Sequence, residues 1–242
     1  MNWIKRIALI LIVLSSFRIS GQQEELTSNF EDLSYITFDV TAPLDPQVPR
    51  WRLGYLRTIK KEIKTRLGFG LGLDDISIKT PIKTRRKENY RLWEIRNEWY
   101  YVFNPDQGKR NTNYLSVELF YINHKDTFYD NSYEPSEGNI SVSYDRADLF
   151  RYKYGAIAKF GYFFEWRRRV IVNLFGGIGY RIKENKYSNV VNPVESDARV
   201  VKHWDSVSFV EREGKKDGVE LSLGLKLILN ISKRKTTNNT NL

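Results

Sequence analysis

The chain contains no cysteine, only two histidines and a single methionine. The missing cysteine excludes disulfides, thiolate metal sites and lipid attachment to a cysteine side chain. Two histidines among scattered carboxylates give no metal site of recognisable spacing. No glycine-rich phosphate or dinucleotide motif opens a helix, because the glycines alternate within extended stretches. No cofactor is expected on these grounds. No run of apolar residues is long enough to cross a bilayer as a helix, which takes about 20 residues.

What is present begins at the amino terminus. "MNWIKRIALILIVLSS" carries Lys5 and Arg6, then an apolar run from Ile7 to Leu14, then small residues up to Gly21. This reads as a secretory signal peptide over residues 1–21. Removing Lys5, Arg6 and Arg18 lowers the formal charge from +10 to +7. Export argues against nucleic acid as the partner of that charge and favours an anionic lipid surface. Residues 22–33 read as a short periplasmic segment, 34–232 as one β domain, and 233–242 as a disordered polar tail.

The apolar period is two almost throughout. In "GVELSLGLKLILNIS" every odd position from Val219 to Ile231 is apolar, and Glu220, Ser222, Gly224 and Lys226 lie between them. The same alternation recurs around Ile36–Val40, Trp51–Tyr55, Leu67–Leu73, Trp93–Phe103, Leu115–Tyr121, Tyr152–Tyr162 and Val170–Ile182. Such alternation predicts strands with one apolar face. The fold class expected is all-β, an eight-stranded antiparallel up-and-down transmembrane barrel. "KKEIKTR", "NPDQGKRNTN" and "EWRRR" read as short turns. Residues 74–89, 123–150 and 183–217 read as long loops on the other end. "APLDPQVPR" is neither.

Alternation does not say which way the apolar face points; volume does. An eight-stranded barrel encloses barely enough room for its own side chains. So many Leu, Phe, Tyr and Trp residues would overfill it. The opposite face is rich in glycine, which leaves room inside a narrow lumen. Aromatics fall at both ends of the strands: Trp51, Tyr121, Tyr152, Tyr154 and Tyr180 at one, Trp99, Tyr101, Phe103, Tyr162 and Trp166 at the other. Two aromatic belts fit the two interfaces of a membrane. The apolar face is therefore expected to meet lipid.

The inward face then carries Arg52, Glu94, Arg96, Glu98, Glu118, Lys153, Lys159, Arg181, Glu220 and Lys226. Charges so enclosed must pair, so these are expected to form a polar network that plugs the lumen, with Glu94, Arg96, Glu98 and Glu118 in one cluster. A narrow ion path is the alternative. The basic stretch containing Lys79, Lys83, Arg85, Arg86 and Lys87 is a candidate contact for lipopolysaccharide phosphates. For catalysis the best candidate is His124, with Asp126 and Ser132 nearby and just past the fifth strand. His203, beside Asp205 and Ser206, is the second. Neither stretch guarantees a nucleophile within reach of the base, so an enzyme is not expected.

The run "YKYGAIAKFGYFFEWRRRVIVNLFGGIGYRIKE", residues 152–184, resembles a hairpin of the small OmpA-type outer-membrane barrels, closest to uncharacterised families of that superfamily. Ser222, Gly224, Leu227 and Leu229 resemble the assembly signal of such proteins. That signal usually ends the chain, often on an aromatic residue, whereas this chain runs on to Leu242. The resemblance implies the outer membrane of a Gram-negative bacterium, with its lipids, lipopolysaccharide and barrel-assembly machinery as partners, and a monomer. The function expected is a structural or surface-binding barrel. The alternatives are a lipid A-modifying acyl hydrolase, a narrow channel, or a secreted soluble barrel holding a hydrophobic ligand.

Overall fold

The computed structural model describes residues 34–45, 48–75, 87–103, 111–136, 140–167, 169–196 and 212–231. The signal peptide, most of the stretch 79–87, His203 and the polar tail lie outside them. The strands are β1 (Ser34–Asp39), β2 (Trp51–Thr58), β3 (Ile63–Leu73), β4 (Lys87–Val102), β5 (Asn111–Tyr133), β6 (Ser141–Arg167), β7 (Val170–Val191), β8 (Val194–Ser196) and β9 (Gly214–Asn230). All pairings between these strands are antiparallel. β1 to β7 and β9 form a closed eight-stranded barrel, in which β1 pairs with both β2 and β9. β8 is a ninth, three-residue strand attached to the far end of β6.

Closure joins the first strand to the last. Tyr35 to Asp39 run against Asn230 to Lys226, and the Ile231 amide donates to the Ser34 carbonyl at 2.9 Å. A closed sheet leaves no row of unpaired backbone groups along an edge.

Side chains alternate as the period of two requires. On β9, Leu221 and Leu223 are 76% and 87% exposed, while Lys226 and Ile228 are buried. Outward Leu53, Phe69, Leu115, Phe160, Leu174 and Ile178 are all exposed. From Val219 to Ile231 the strand covers about 40 Å, which at barrel tilt rises about 30 Å.

Three connections differ from the sequence reading. β3 begins at Ile63, so Arg66 is a strand residue facing inward and not part of a turn. The supposed long loops 123–150 and 183–217 are in large part strand: β5, β6 and β7 simply continue beyond the barrel. His124 therefore lies within β5 rather than past its end. The extension carries irregularities at one level. Asp130 and Asn189 have positive φ, and the β6–β7 register shifts between Arg146 and Asp148. Around them, Tyr133 stacks on Tyr187 at 4.4 Å over a small core of Phe128, Tyr144, Ala147 and Leu149. The Glu213 amide donates to the Glu134 carbonyl at 2.7 Å, so the tip of β5 reaches the start of β9.

The first connection enters the mouth of the barrel. It holds a short 3-10 helix, Ala42–Leu44, with Ala42 and Pro43 buried. Tyr90 donates to the Pro49 carbonyl at 2.8 Å, and Arg50 is buried. This explains why that connection fits neither the short nor the long class.

Candidate functional site

The interior is built in layers. Nearest the short turns, Tyr35, Leu56, Tyr100, Val102, Tyr114, Phe163, Phe175 and Ile228 form an apolar floor. Tyr114 stacks on Phe163 at 4.4 Å, and its hydroxyl exchanges hydrogen bonds with Asn173. A second apolar cluster, Tyr90, Leu92, Phe120, Ile122 and Ile157, lines one wall higher up.

Between them lies the ionic layer. Glu98 is fully buried and accepts from Lys226 at 2.6 Å, Tyr100 at 2.6 Å and Ser116 at 2.9 Å. Lys159 bridges Glu98 at 3.4 Å and Glu118 at 2.7 Å. Arg96 links Glu118 at 2.5 Å to Glu94 at 3.1 Å. Glu94 also receives Arg52 at 2.5 Å and Arg50 at 3.0 Å, and Arg52 continues to Asp39. Arg66 donates to Thr37 at 2.7 Å and sits 3.8 Å from Glu98. The cations Arg50, Arg52, Arg66, Arg96, Lys159 and Lys226 thus surround the carboxylates Asp39, Glu94, Glu98 and Glu118. Low dielectric strengthens each attraction but makes any unpaired member costly.

Glycines on the opposing walls leave the space. A Cβ on Gly70 would stand 2.5 Å from Glu94 Oε1, and one on Gly54 would stand 2.8 Å from Arg66 Nε. The sheet surface is bare where a guanidinium or carboxylate must pass.

Of the ten residues read from the sequence as the polar network, the structure brings Arg52, Glu94, Arg96, Glu98, Glu118, Lys159 and Lys226 into this layer. Lys153, Arg181 and Glu220 form a separate triad, with Glu220 at 2.6 Å from Lys153 and 2.8 Å from Arg181. The sequence reading missed Asp39, Arg50, Arg66 and Thr37. Asp39 and Thr37 share the inward parity of β1, a signal that was present.

His124 faces inward near the mouth, with Tyr90 packed edge-on at 5.3 Å and Asp126 Oδ2 3.6 Å from its Nε2. Ser132 lies further along β5, opposite Ser143 in the extension. Among the described residues no group of histidine and carboxylate side chains could hold a metal ion. Ser222 and Gly224 of the assembly-signal pattern face the lumen, where Gly224 abuts the Phe175 ring, and Leu227 and Leu229 face outward.

No family model matches the chain, and no curated protein sequence matches it. Two solved structures are similar. CarO of Acinetobacter baumannii shares 12% identity over 84% of this chain and 98% of its own, with a TM-score of 0.40. A major outer membrane protein from Thermus thermophilus shares 13% identity over 82% of this chain and 98% of its own, with a TM-score of 0.34.

Proposed function

We propose that the chain is an integral outer-membrane β-barrel with a structural or surface-binding role, its lumen plugged by the ionic layer. The observation that carries this reading is the inverted polarity of the barrel. Among the described residues Leu223 is the most exposed of the large apolar side chains, whereas Arg66, Glu94 and Glu98 are fully buried. A barrel dissolved in water would lose stability on both counts. A barrel in lipid loses nothing by its apolar exterior, and its band of about 30 Å matches a hydrocarbon core. Trp51, Trp93 and Tyr180 at one end and Tyr55, Tyr101 and Trp166 at the other are exposed. They stand where the two interfaces would lie.

The plug supports a scaffold in preference to a channel. The bonds tie β4 to its neighbour β5 and, across the lumen, to β2, β6 and β9, and the side chains they use are buried. The extended β5–β7 hairpins, with their own small core, are the surface offered for contacts.

The test is fractionation followed by gel mobility with and without boiling. A folded membrane barrel pellets with the outer membrane and changes apparent mass on boiling. Recovery as a soluble periplasmic protein without a mobility shift would overturn the reading. Steady conductance of the purified protein in planar bilayers would overturn the plug alone.

A further inference from the structure

We infer that Arg91 on β4 and Lys125 on β5 form a site for the phosphate of an anionic lipid in the outer leaflet. This rests on the membrane-spanning reading above.

The two residues are directly opposite one another in the β4–β5 register. Their neighbours Tyr90, Leu92, His124 and Asp126 are buried inside, so Arg91 and Lys125 point outward. Like charges directly opposite on one sheet face repel. Among the described residues no carboxylate forms an ion pair with either. The acids nearby are engaged elsewhere. Asp148 accepts from Thr127 at 2.7 Å and from Asn189 at 2.8 Å. Glu88 accepts from Tyr129 at 2.7 Å, and Glu184 pairs with Lys186 at 3.0 Å. The Lys125 ammonium lies 5.0 Å from the Phe150 ring centre, which places it over a hydrophobic platform.

Position on the barrel identifies the ligand. One pleat below the pair, Trp93 faces Asn123 and packs diagonally on Tyr121 with ring centres 5.3 Å apart, and Trp93 is exposed. Below that, Ile95 faces Tyr121, and Leu119 follows on β5. The cations thus stand where an aromatic belt gives way to the polar extension. A phosphate there would bind between a guanidinium and an ammonium, with its acyl chains lying on the apolar wall beneath. A free anion would use the cations and gain nothing from that wall.

The experiment uses the full mature chain and an Arg91→Gln, Lys125→Gln double variant. Each is refolded into zwitterionic phospholipid vesicles, alone or with added lipid A or dephosphorylated lipid A. The thermal midpoint is read from the folded band on unboiled gels. Phosphorylated lipid A is expected to raise the midpoint of the natural protein by roughly 2–4 °C, and the dephosphorylated lipid is not. The double variant is expected to insert equally well and to lose that rise. An equal rise in the variant, or no rise in either protein, overturns the site while leaving the barrel reading intact. The same rise from inorganic phosphate in plain vesicles overturns the lipid as its source. Failure of the natural protein to insert into any vesicle overturns the membrane reading and this site with it.

Discussion

Lys226 on β9 reaches across the lumen to Glu98 on β4 at 2.6 Å, joining residues 128 positions apart. In the order β4-β3-β2-β1-β9 the two strands stand on opposite sides of an eight-stranded barrel. The bond is a rung across the diameter, between two side chains that are both buried.

The two ends of that rung differ in consequence. Glu98→Gln leaves Lys226, Lys159 and Arg66 facing a neutral amide in a layer where cations already outnumber carboxylates. Lys226→Met leaves Glu98 with Lys159, Tyr100 and Ser116. We expect Glu98→Gln to cost about 3–5 kcal/mol and Lys226→Met about 1–3 kcal/mol. Denaturant unfolding of the refolded barrel measures both. The double variant should cost less than the sum, because the two share one interaction.

Leu223→Arg tests whether the outer surface faces lipid. Leu223 is 87% exposed on the isolated barrel. In a soluble protein such a change at such a position would be nearly neutral. Near the middle of a bilayer it should cost about 2–4 kcal/mol. Unfolding from vesicles decides between them.

Two inward glycines of β3 and β9 make a matched pair. A methyl group on Gly70 would collide with Glu94. Gly70→Ala should therefore displace Glu94 from Arg52, at about 1–3 kcal/mol. Gly218→Ala meets nothing within 4 Å. It should be neutral or stabilise by up to about 1 kcal/mol, by restricting the unfolded chain. The difference in unfolding midpoint between the variants is the measurement.

Acid should loosen the extension before the barrel. Burial opposes the charge of Asp148, but hydrogen bonds from Asn189 and Thr127, with the charges of Lys125 and Arg146 beyond them, outweigh it and hold its carboxyl below the usual range. A depressed folded value means that the stabilisation is complete above the ordinary carboxylate range. It fades as pH falls through that range and is lost once the folded carboxyl itself protonates. Hydrogen exchange of the β6–β7 amides near Asp148 should therefore quicken at low pH. Asp148→Asn should exchange faster at neutral pH and lose that dependence.

The barrel was legible because each strand has one exposed apolar face and one face packed with buried polar atoms, so polarity alternates. That contrast placed Glu94, Arg96, Glu98 and Glu118 together. It disappears in the extension, where β5 to β7 pack around a small core of their own and leave both sides partly wet. Residues 123–150 and 183–191 therefore read as loop. Arg66 was missed because charged neighbours on both faces at the foot of β3 imitate a turn. Arg50 lies in a proline-rich connection that has no period, and only the folding of that connection into the mouth brings it to Glu94. The apolar floor was hidden for a related reason: Tyr100 and Phe163 are aromatic on a face otherwise marked by polarity.

The meeting of β1 with β9 has a kinetic consequence. β1 is six residues long, and every rung of its ladder with β9 joins positions about as far apart as this chain allows. No local hairpin can stand in for that seam, so the sheet must stay open until its last strand arrives, with two bare edges held apart from other sheets. Closure of this kind is slow, because the loop entropy is lost before any long-range contact forms. Shortening β1 by one rung should therefore slow the final closing step far more than the same change in the hairpin of β5 and β6.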